Sequence, residues 1–397
     1  MPALAALSTT VRAAFDRNGA GAVLELARAA RGPLVEPTAD PDRFRVSFVY
    51  ADRSGVSRVG LFCAGLPGGF LQLVPLADGV FAASAELPRG TRVKYHFCPD
   101  PPEQPDRDTL AALDHSPTRR RIDYLNPVTD QVHIRGLRVR IIESLLTLPG
   151  ATEAPPLRAA VGVPTGRSET VVVDSAALGR RKEVLVRLPA GHRTAAGPWE
   201  AVLLLEGNEE WRADGFLDNL AAVRPMVAVV PLDRAFTSRQ RELSGDPAYT
   251  RFVVDELWPL LRDRYGLAER ATVAGYSVGG LAAAALALDE PRHFPRLAVI
   301  SGALHLRPGV DLRHAPPDTG ILRRYEAAGP ALPARAYLAA GWFEDAWADT
   351  IGEQSARLAA ILRAGGCTVR LDTGPTGHDT VSARAYLADG LNWLSAS

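Results

Sequence analysis

The 397-residue sequence has no excess of either charge and few cysteines. Lys and Arg together number 45, as do Asp and Glu, so we expect no basic surface that would hold nucleic acid or anionic lipid. Cys63, Cys98 and Cys367 are too few and too scattered for a disulfide framework or a zinc cluster. We expect reduced thiols in the core, although Cys63 and Cys98 could pair in an exported protein. The composition therefore favours a small-molecule partner that is recognised by a local site.

Long apolar runs are also missing. No stretch of 18 apolar residues occurs, which excludes a predicted transmembrane helix. Residues 1–30 are rich in alanine but lack the basic start and the long apolar core of a signal peptide. We therefore predict a cytoplasmic protein without a membrane partner.

The first third of the chain has the pattern of a small β domain. After one or two short helices within residues 1–30, short runs of alternating apolar residues follow between Gly, Pro and Asp clusters, as in "RFRVSFVY", "VSRVGLF" and "RVKYHF". This pattern predicts an antiparallel sandwich of immunoglobulin-like size. A polar segment rich in proline follows, and it predicts a long connection and a linker. We set the domain boundary near residue 155, which divides the chain into 1–155 and 156–397.

The remainder alternates strands and helices. "TVVVDSAAL" and "KEVLVRLP" predict two strands joined by a turn, and "EAVLLLEG" and "PMVAVVPLD" are continuous apolar runs typical of buried parallel strands. "PAYTRFVVDELWPLLRDRYG" has helical spacing and ends at Gly266, and a last helix is expected from about Val381 to Leu394. The fold class is therefore predicted to be α/β with a mostly parallel central sheet.

The stretch "VAGYSVGG" carries the strongest functional signal. Ser277 lies in a G-x-S-x-G pattern between the predicted strand "RATVA" and the predicted helix "GGLAAAALAL". In that setting the pattern indicates a nucleophile elbow, a tight turn whose glycines leave room for the neighbouring strand and helix. The helix that follows also directs free backbone N–H groups towards developing negative charge. The alternative is a purely structural turn of small residues.

A serine nucleophile needs a base downstream of it. Four histidines follow Ser277, and they are His293, His305, His314 and His378. In α/β-hydrolases the chain order is serine, acid, histidine, with the histidine on the loop after the last strand, and this order favours His378 in "GPTGHDT". A histidine facing solvent on that loop is the alternative.

The acid is expected after an intermediate strand. "RAYLAAGWFEDAW" supplies Glu344 and Asp345, and the residues alone do not decide between them. One oxyanion donor is expected to be the N–H of Val278. The second is expected after "AVLLLEG", with Asn208 preferred over its neighbours at positions 207 and 209.

Taken together, these motifs resemble the enterochelin (ferric enterobactin) esterase family over nearly the whole chain. "GPLVEP", "RFRVSFVY" and "DYLNP" are similar to landmarks of the family's first domain. "LLLEGNEEW", "DRAFTSRQREL", "GYSVGG", "AGWFE" and "GHD" are similar to those of its second domain. The resemblance implies a cytoplasmic siderophore hydrolase in which an immunoglobulin-like domain precedes an α/β-hydrolase domain.

The resemblance also implies roles for single residues. Ser277 would be the nucleophile, His378 the base and Glu344 the acid, with Asp345 as the alternative acid. Arg239, in an R-x-x-E-L pattern with Glu242, would contact substrate, or else it would form a salt bridge to Glu242. No cofactor or metal site is expected, and the protein would be a monomer or a small homo-oligomer.

The chain departs from the family where substrate is expected to bind. "ISGALHLRPGV" lacks the aromatic residues that often follow the corresponding strand, and "EGNEEW" has Glu206 in place of the usual aspartate. We therefore expect a serine esterase that cleaves the ester or lactone linkage of a catecholate-type siderophore. The alternatives are an esterase or acyltransferase acting on another natural-product ester, and a catalytically silent binding protein.

Overall fold

The computed structural model describes most of the chain. The described residues are 7–52, 55–77, 79–103, 106, 109, 112–113, 116, 118–134, 139–205, 209–232, 236–306, 320–329, 332–344 and 351–396. They form a β-rich N-terminal domain followed by a mixed α/β domain. Within these ranges, no helix combines the length and the apolar character that crossing a membrane requires.

The described chain opens with a bent helix, α1 (Thr9–Ala30). Ser8 caps its start, because the Ser8 Oγ accepts a hydrogen bond from the Val11 N–H at 3.2 Å. Gly19 has φ 74° in the middle of α1, a conformation that costs glycine little, and the helix bends there. The structure therefore has one bent helix where the sequence predicted one or two short helices.

The other described strands of the N-terminal domain form two antiparallel sheets. Their strands are β1 (Leu34–Pro37), β2 (Arg43–Ala51), β3 (Val59–Cys63), β4 (Phe70–Gln72), β5 (Val74–Ala77), β6 (Val80–Pro88), β7 (Arg92–Pro99), β8 (Thr129–Ile134) and β9 (Val139–Thr147). One sheet has the order β1-β2-β6-β5 and the other β4-β3-β7-β9-β8. Their facing sides share an aromatic core in which the rings of Phe48 and Tyr95 lie 5.2 Å apart, edge to face.

The alternating runs predicted as strands are strands, but the hairpin β8–β9 was missed. It lies inside the segment that the sequence analysis treated as connection and linker. Its two strands pair antiparallel, and β9 completes its sheet by pairing with β7, so the strands gain their stability from partners distant in sequence.

A single sheet runs through the second domain. Its strands are β10 (Arg167–Ser175), β11 (Arg180–Leu188), β12 (Ala201–Leu205), β13 (Val227–Leu232), β14 (Thr272–Tyr276), β15 (Arg296–Ile300), β16 (Arg335–Gly341) and β17 (Thr368–Gly374). Among the described residues its order is β10-β11-β13-β12-β14-β15-β16-β17. The first two strands are antiparallel and the others run parallel, which confirms the predicted α/β class.

Helices cover both faces of this sheet. They are α2 (Asp214–Val223), α3 (Phe236–Leu243), α4 (Pro247–Arg251), α5 (Trp258–Tyr265), α6 (Val278–Asp289), α7 (Gly320–Ala327), α8 (Ile351–Ala364) and α9 (Thr380–Ser395). Leu203 belongs to the core on one face and its neighbour Leu204 to the core on the other. Because successive side chains of a strand alternate between faces, a strand buried on both faces needs the continuous apolar run that the sequence has.

Two local predictions also agree with the structure. Gly266 ends α5 in a left-handed conformation at φ 64°, as expected for a C-terminal cap. Cys63, Cys98 and Cys367 are free and buried.

Candidate active site

Ser277 occupies a strained turn between β14 and α6. Its backbone has φ 57° and ψ −122°, a region that non-glycine residues seldom occupy. A Cβ on Gly275 would clash with the carbonyl oxygen of Gly279, and one on Gly280 would lie 2.9 Å from the Cα of Gly302. The glycines of "GYSVGG" are therefore needed so that β14, α6 and the segment after β15 can approach one another.

His378 faces this serine from the loop between β17 and α9. The distance from its Nε2 to the Ser277 Oγ is 3.1 Å, within hydrogen-bond range. The imidazole stacks on Tyr276, with ring centroids 4.7 Å apart and an interplanar angle of 24°. This stacking restricts the plane of the ring, whose Nε2 faces the serine.

Glu344 lies behind the histidine, directly after β16. Its carboxylate is fully buried, with Oε2 3.9 Å from the His378 Nδ1. Its other oxygen, Oε1, accepts a hydrogen bond from the Ser301 Oγ at 2.6 Å. The 3.9 Å separation exceeds a hydrogen bond, but catalytic hydrogen bonds often shorten only when substrate is bound.

Ser301, which the sequence analysis did not single out, thus orients the candidate acid. It follows β15 with φ 47°, a second strained non-glycine residue at this edge of the sheet. The signal in the sequence is weak, since a serine after a buried strand is common. Ser277, Ser301, Glu344 and His378 follow the adjacent strands β14, β15, β16 and β17, whose carboxyl ends meet at one edge.

The start of α6 provides the expected environment for an oxyanion. Val278 is the first residue of the helix, where the N–H groups have no partner within the helix, and the helix dipole adds partial positive charge. Asn208, the preferred second donor, lies outside the described residues, as does position 207. The Val278 N–H therefore lies at a helix start that suits an oxyanion donor, and Asn208 as the second donor stays a prediction.

The structure leaves the roles of the other candidates untested. Arg239 lies on α3, which packs against α6, and its contact with substrate stays a prediction. Its motif partner Glu242 is buried and accepts hydrogen bonds from the Arg180 Nε at 3.0 Å and the Lys182 Nζ at 2.7 Å. Asp345 lies outside the described residues.

The remaining histidines differ in their surroundings. His293 is half-buried and its Nδ1 lies 3.1 Å from the Glu290 carboxylate, as expected of a surface residue. His305 is buried in the segment after β15, and burial lowers its pKa. His314 lies outside the described residues.

Asp379, next to His378, is a buried acid with a raised pKa. It caps α9, because its carboxylate accepts a hydrogen bond from the Ser382 N–H at 2.7 Å. Burial, and then the negative charge of Asp130, raise the pKa of Asp379 to about 7. Asp130 comes from β8 of the N-terminal domain, so charge from that domain reaches the histidine loop.

This arrangement has the parts that acyl transfer from an ester requires. A hydroxyl, an imidazole and a carboxylate lie in series beside a helix start that can hold an oxyanion. Within the part of the chain that the structure describes, no group of three or more His, Cys, Asp or Glu side chains has the arrangement of a metal site.

One protein-family model matches most of the second domain. Residues 175–366 match the family model "Esterase", described as "Putative esterase". The match confirms the prediction of a carboxylic ester hydrolase. A search of curated protein sequences finds no match.

Solved structures with the same fold cover nearly the whole chain. Ferric enterobactin esterase from Salmonella typhimurium is 24% identical, with a TM-score of 0.77, covering 94% of this chain and 98% of that one. The enterobactin esterase from Shigella flexneri, solved in the presence of enterobactin, is 23% identical with a TM-score of 0.73, covering 92% and 96%. At this identity the likeness establishes the fold, including the β-rich N-terminal domain. The resemblance to the enterochelin esterases is confirmed at that level.

Proposed function

We propose that this carboxylic ester hydrolase, which resembles the enterochelin esterases, uses Ser277, His378 and Glu344 as its catalytic triad. The His378 Nε2 takes the Ser277 proton while the Oγ attacks the ester carbonyl, and the carbonyl oxygen becomes an oxyanion beside the Val278 N–H. The intermediate then expels the alcohol, which takes the proton from the imidazolium, and an acyl-enzyme remains. Water attacks the acyl group with the same histidine as base, and it releases the acid and restores the serine.

The observation that carries this proposal is the 3.1 Å contact from the His378 Nε2 to an Oγ on a strained turn. In a structural turn of small residues, no base would need to lie at the hydroxyl and no strain would need to persist. Glu344, buried behind the imidazole, would stabilise the imidazolium that forms during each proton transfer.

For the substrate we propose the ester or lactone linkage of a catecholate-type siderophore, whose hydrolysis frees its iron. The support is the shared fold over both domains with proteins described as enterobactin esterases, one of them solved with enterobactin. Ferric iron would then arrive as part of the substrate, and the reaction needs no resident cofactor.

A second substrate class is favoured by one observation. The stretch "ISGALHLRPGV", which begins at the last residue of β15, has no Phe, Tyr or Trp side chain to stack on a catechol ring. Another natural-product ester, cleaved or transferred by the same serine, is consistent with that absence.

Several finer expectations accompany the proposal. We propose that the N-terminal sheets form an immunoglobulin-like sandwich before an α/β-hydrolase domain, with the boundary near residue 155. We also propose a cytoplasmic location and a monomer or small homo-oligomer, with Arg239 as a substrate contact and Asn208 as the second oxyanion donor.

Initial-rate assays with p-nitrophenyl acetate and with enterobactin, with and without iron, test the proposal. Ser277→Ala should lower kcat by about 10⁴-fold or more on every substrate that the wild type cleaves. Ser244→Ala, at a half-buried serine on another segment, is the matched control and should leave kcat unchanged. Trilactone cleavage much faster than aryl-ester cleavage would support the siderophore substrate, and aryl-ester cleavage alone would favour the second class. Equal activity of Ser277→Ala and wild type would overturn the triad.

A further inference from the structure

The loop that carries His378 contacts the N-terminal domain through its backbone. The Arg92 N–H, at the start of β7, donates to the Pro375 carbonyl at 3.0 Å, and the Gly377 N–H donates to the Arg92 carbonyl at 3.0 Å. Thr376 therefore pairs with Arg92 as in a parallel ladder. A Cβ added to Gly377 would be in ordinary van der Waals contact with the Val93 side chain, at 3.6 Å.

The segment of the candidate acid contacts the same domain. Phe343 precedes Glu344 and packs against the aromatic core of the N-terminal sheets. Its N–H donates to the Thr376 carbonyl at 3.1 Å, so the acid segment and the histidine loop are joined. Both thus lie against the N-terminal domain.

A side chain of the N-terminal domain completes the contact at α9. Asp130 on β8 is 2% exposed, and its Oδ2 accepts a hydrogen bond from the Thr380 N–H at 3.3 Å. Its Oδ1 accepts a short hydrogen bond from the Thr380 Oγ1. Thr380 begins α9 two residues after His378, so a residue 250 positions away in the chain caps the helix that ends the histidine loop.

The placement of Asp130 beside Asp379 costs free energy. Asp130 and Asp379 are both buried carboxylates at the start of α9, and they repel each other. Lys94, paired with Glu143 at 2.9 Å, lies close enough to contribute compensating positive charge. Retaining two carboxylates at one helix start is consistent with a need to fix its position.

We propose that the N-terminal domain holds the histidine loop in its reactive position and that Asp130 is the positioning residue. The inference rests on the proposed triad. Without the Asp130 hydrogen bonds the start of α9 would be free to shift. A displacement of about 1 Å at a reacting group can cost about 10²-fold in rate.

The test measures kcat and KM for p-nitrophenyl acetate with the full chain, normalised to the concentration of reactive serine. Asp130→Ala should lower kcat by about 10- to 100-fold with KM within about twofold of wild type. Asp130→Asn keeps an oxygen that can accept from Thr380 and should recover most of that loss. If the N-terminal domain served only to bind substrate, Asp130→Ala would instead raise KM.

Asp123→Ala is the matched control. Asp123 is also a buried carboxylate of the N-terminal domain, and it accepts a hydrogen bond from the Tyr95 hydroxyl at 2.7 Å. Its loss should destabilise the domain while leaving kcat per reactive serine unchanged. A similar fall in kcat for Asp123→Ala and Asp130→Ala would assign the effect to domain stability and overturn the proposal.

Thr380→Val tests the same contact from the other side and covers the case in which Asp130→Ala does not fold. Thr380→Val should also lower kcat, whereas Thr380→Ser should have a kcat near that of wild type. The double variant that combines Thr380→Val with Asp130→Ala should lose little more kcat than either single variant. Additive losses, or unchanged kcat in all variants, would overturn the proposal. Loss of Ser277 dependence would instead overturn the triad, so the two failures are distinguishable.

Discussion

The serine turn and the histidine loop are built in opposite ways. Ser277 lies on a turn formed mainly by its neighbours in sequence, with β14 before it, α6 after it and glycines that make room for both, and its N–H donates to the Ile300 carbonyl at 3.0 Å within the same domain. His378 is held by residues from distant parts of the chain, including Arg92 and Asp130 of the other domain. The proposed nucleophile is thus held within the second domain, whereas the proposed base owes its position to the assembly of two domains.

After Ser277→Ala, the largest effect should come from Glu344, the proposed acid, which lies between the two regions. Glu344→Gln should lower kcat by about 10³- to 10⁴-fold, because the amide cannot stabilise the imidazolium or fix its tautomer. The measurement is kcat for p-nitrophenyl acetate. Asp345→Asn is the matched control and should stay within about twofold of wild type. The reverse ranking of the two variants would make Asp345 the acid.

The serine turn can be broken locally. Gly275→Ala should lower kcat by about 10²-fold, since its Cβ would clash with the Gly279 carbonyl and displace Ser277. Gly21→Ala is the control, because Gly21 lies in α1 with no atom within 4 Å of an added Cβ. The two variants are compared by kcat per reactive serine and by melting temperature. Normal activity of Gly275→Ala would mean that the turn tolerates a side chain.

A smaller effect should appear in how the free energy of unfolding depends on pH, through Asp379 in the histidine loop. The pKa of Asp379 is raised to about 7, so between about pH 4 and pH 7 the folded protein keeps a proton that the unfolded chain has lost. This group therefore reduces the free energy of unfolding as the pH rises through that window, and the reduction is complete above pH 7.

Asp379→Asn removes this charge but keeps a side chain that caps helices well. It should be more stable than wild type at pH 8, and its advantage should shrink by about 2 kcal/mol on going to pH 5. Urea unfolding at the two pH values measures the difference. The control is Asp246→Asn at the start of α4, where the capping carboxylate is only half-buried. An advantage for Asp379→Asn that does not change with pH would contradict the assigned cause.

Features that depend on nearby residues could be predicted from the sequence, and features that depend on distant residues could not. The alternation of strands and helices, the turn at Ser277 and the position of His378 depend on local pattern and chain order, so the sequence predicts them well. The hairpin β8–β9 was missed, because its pairing partner β7 is distant in sequence. The proposed choice of Glu344 over Asp345 came from the family resemblance, because neighbouring carboxylates look alike in a sequence.

The sequence by itself determined the fold class and a serine at a strand-to-helix turn, because hydrophobic period and the steric demands of glycine act over a few residues. Only the tertiary structure decided that Ser301 binds Glu344, that Tyr276 stacks on His378 and that Asp130 caps α9. Those contacts join residues that are far apart in the chain. Their geometry exists only after the sheet and the two domains have packed, so no local pattern encodes it.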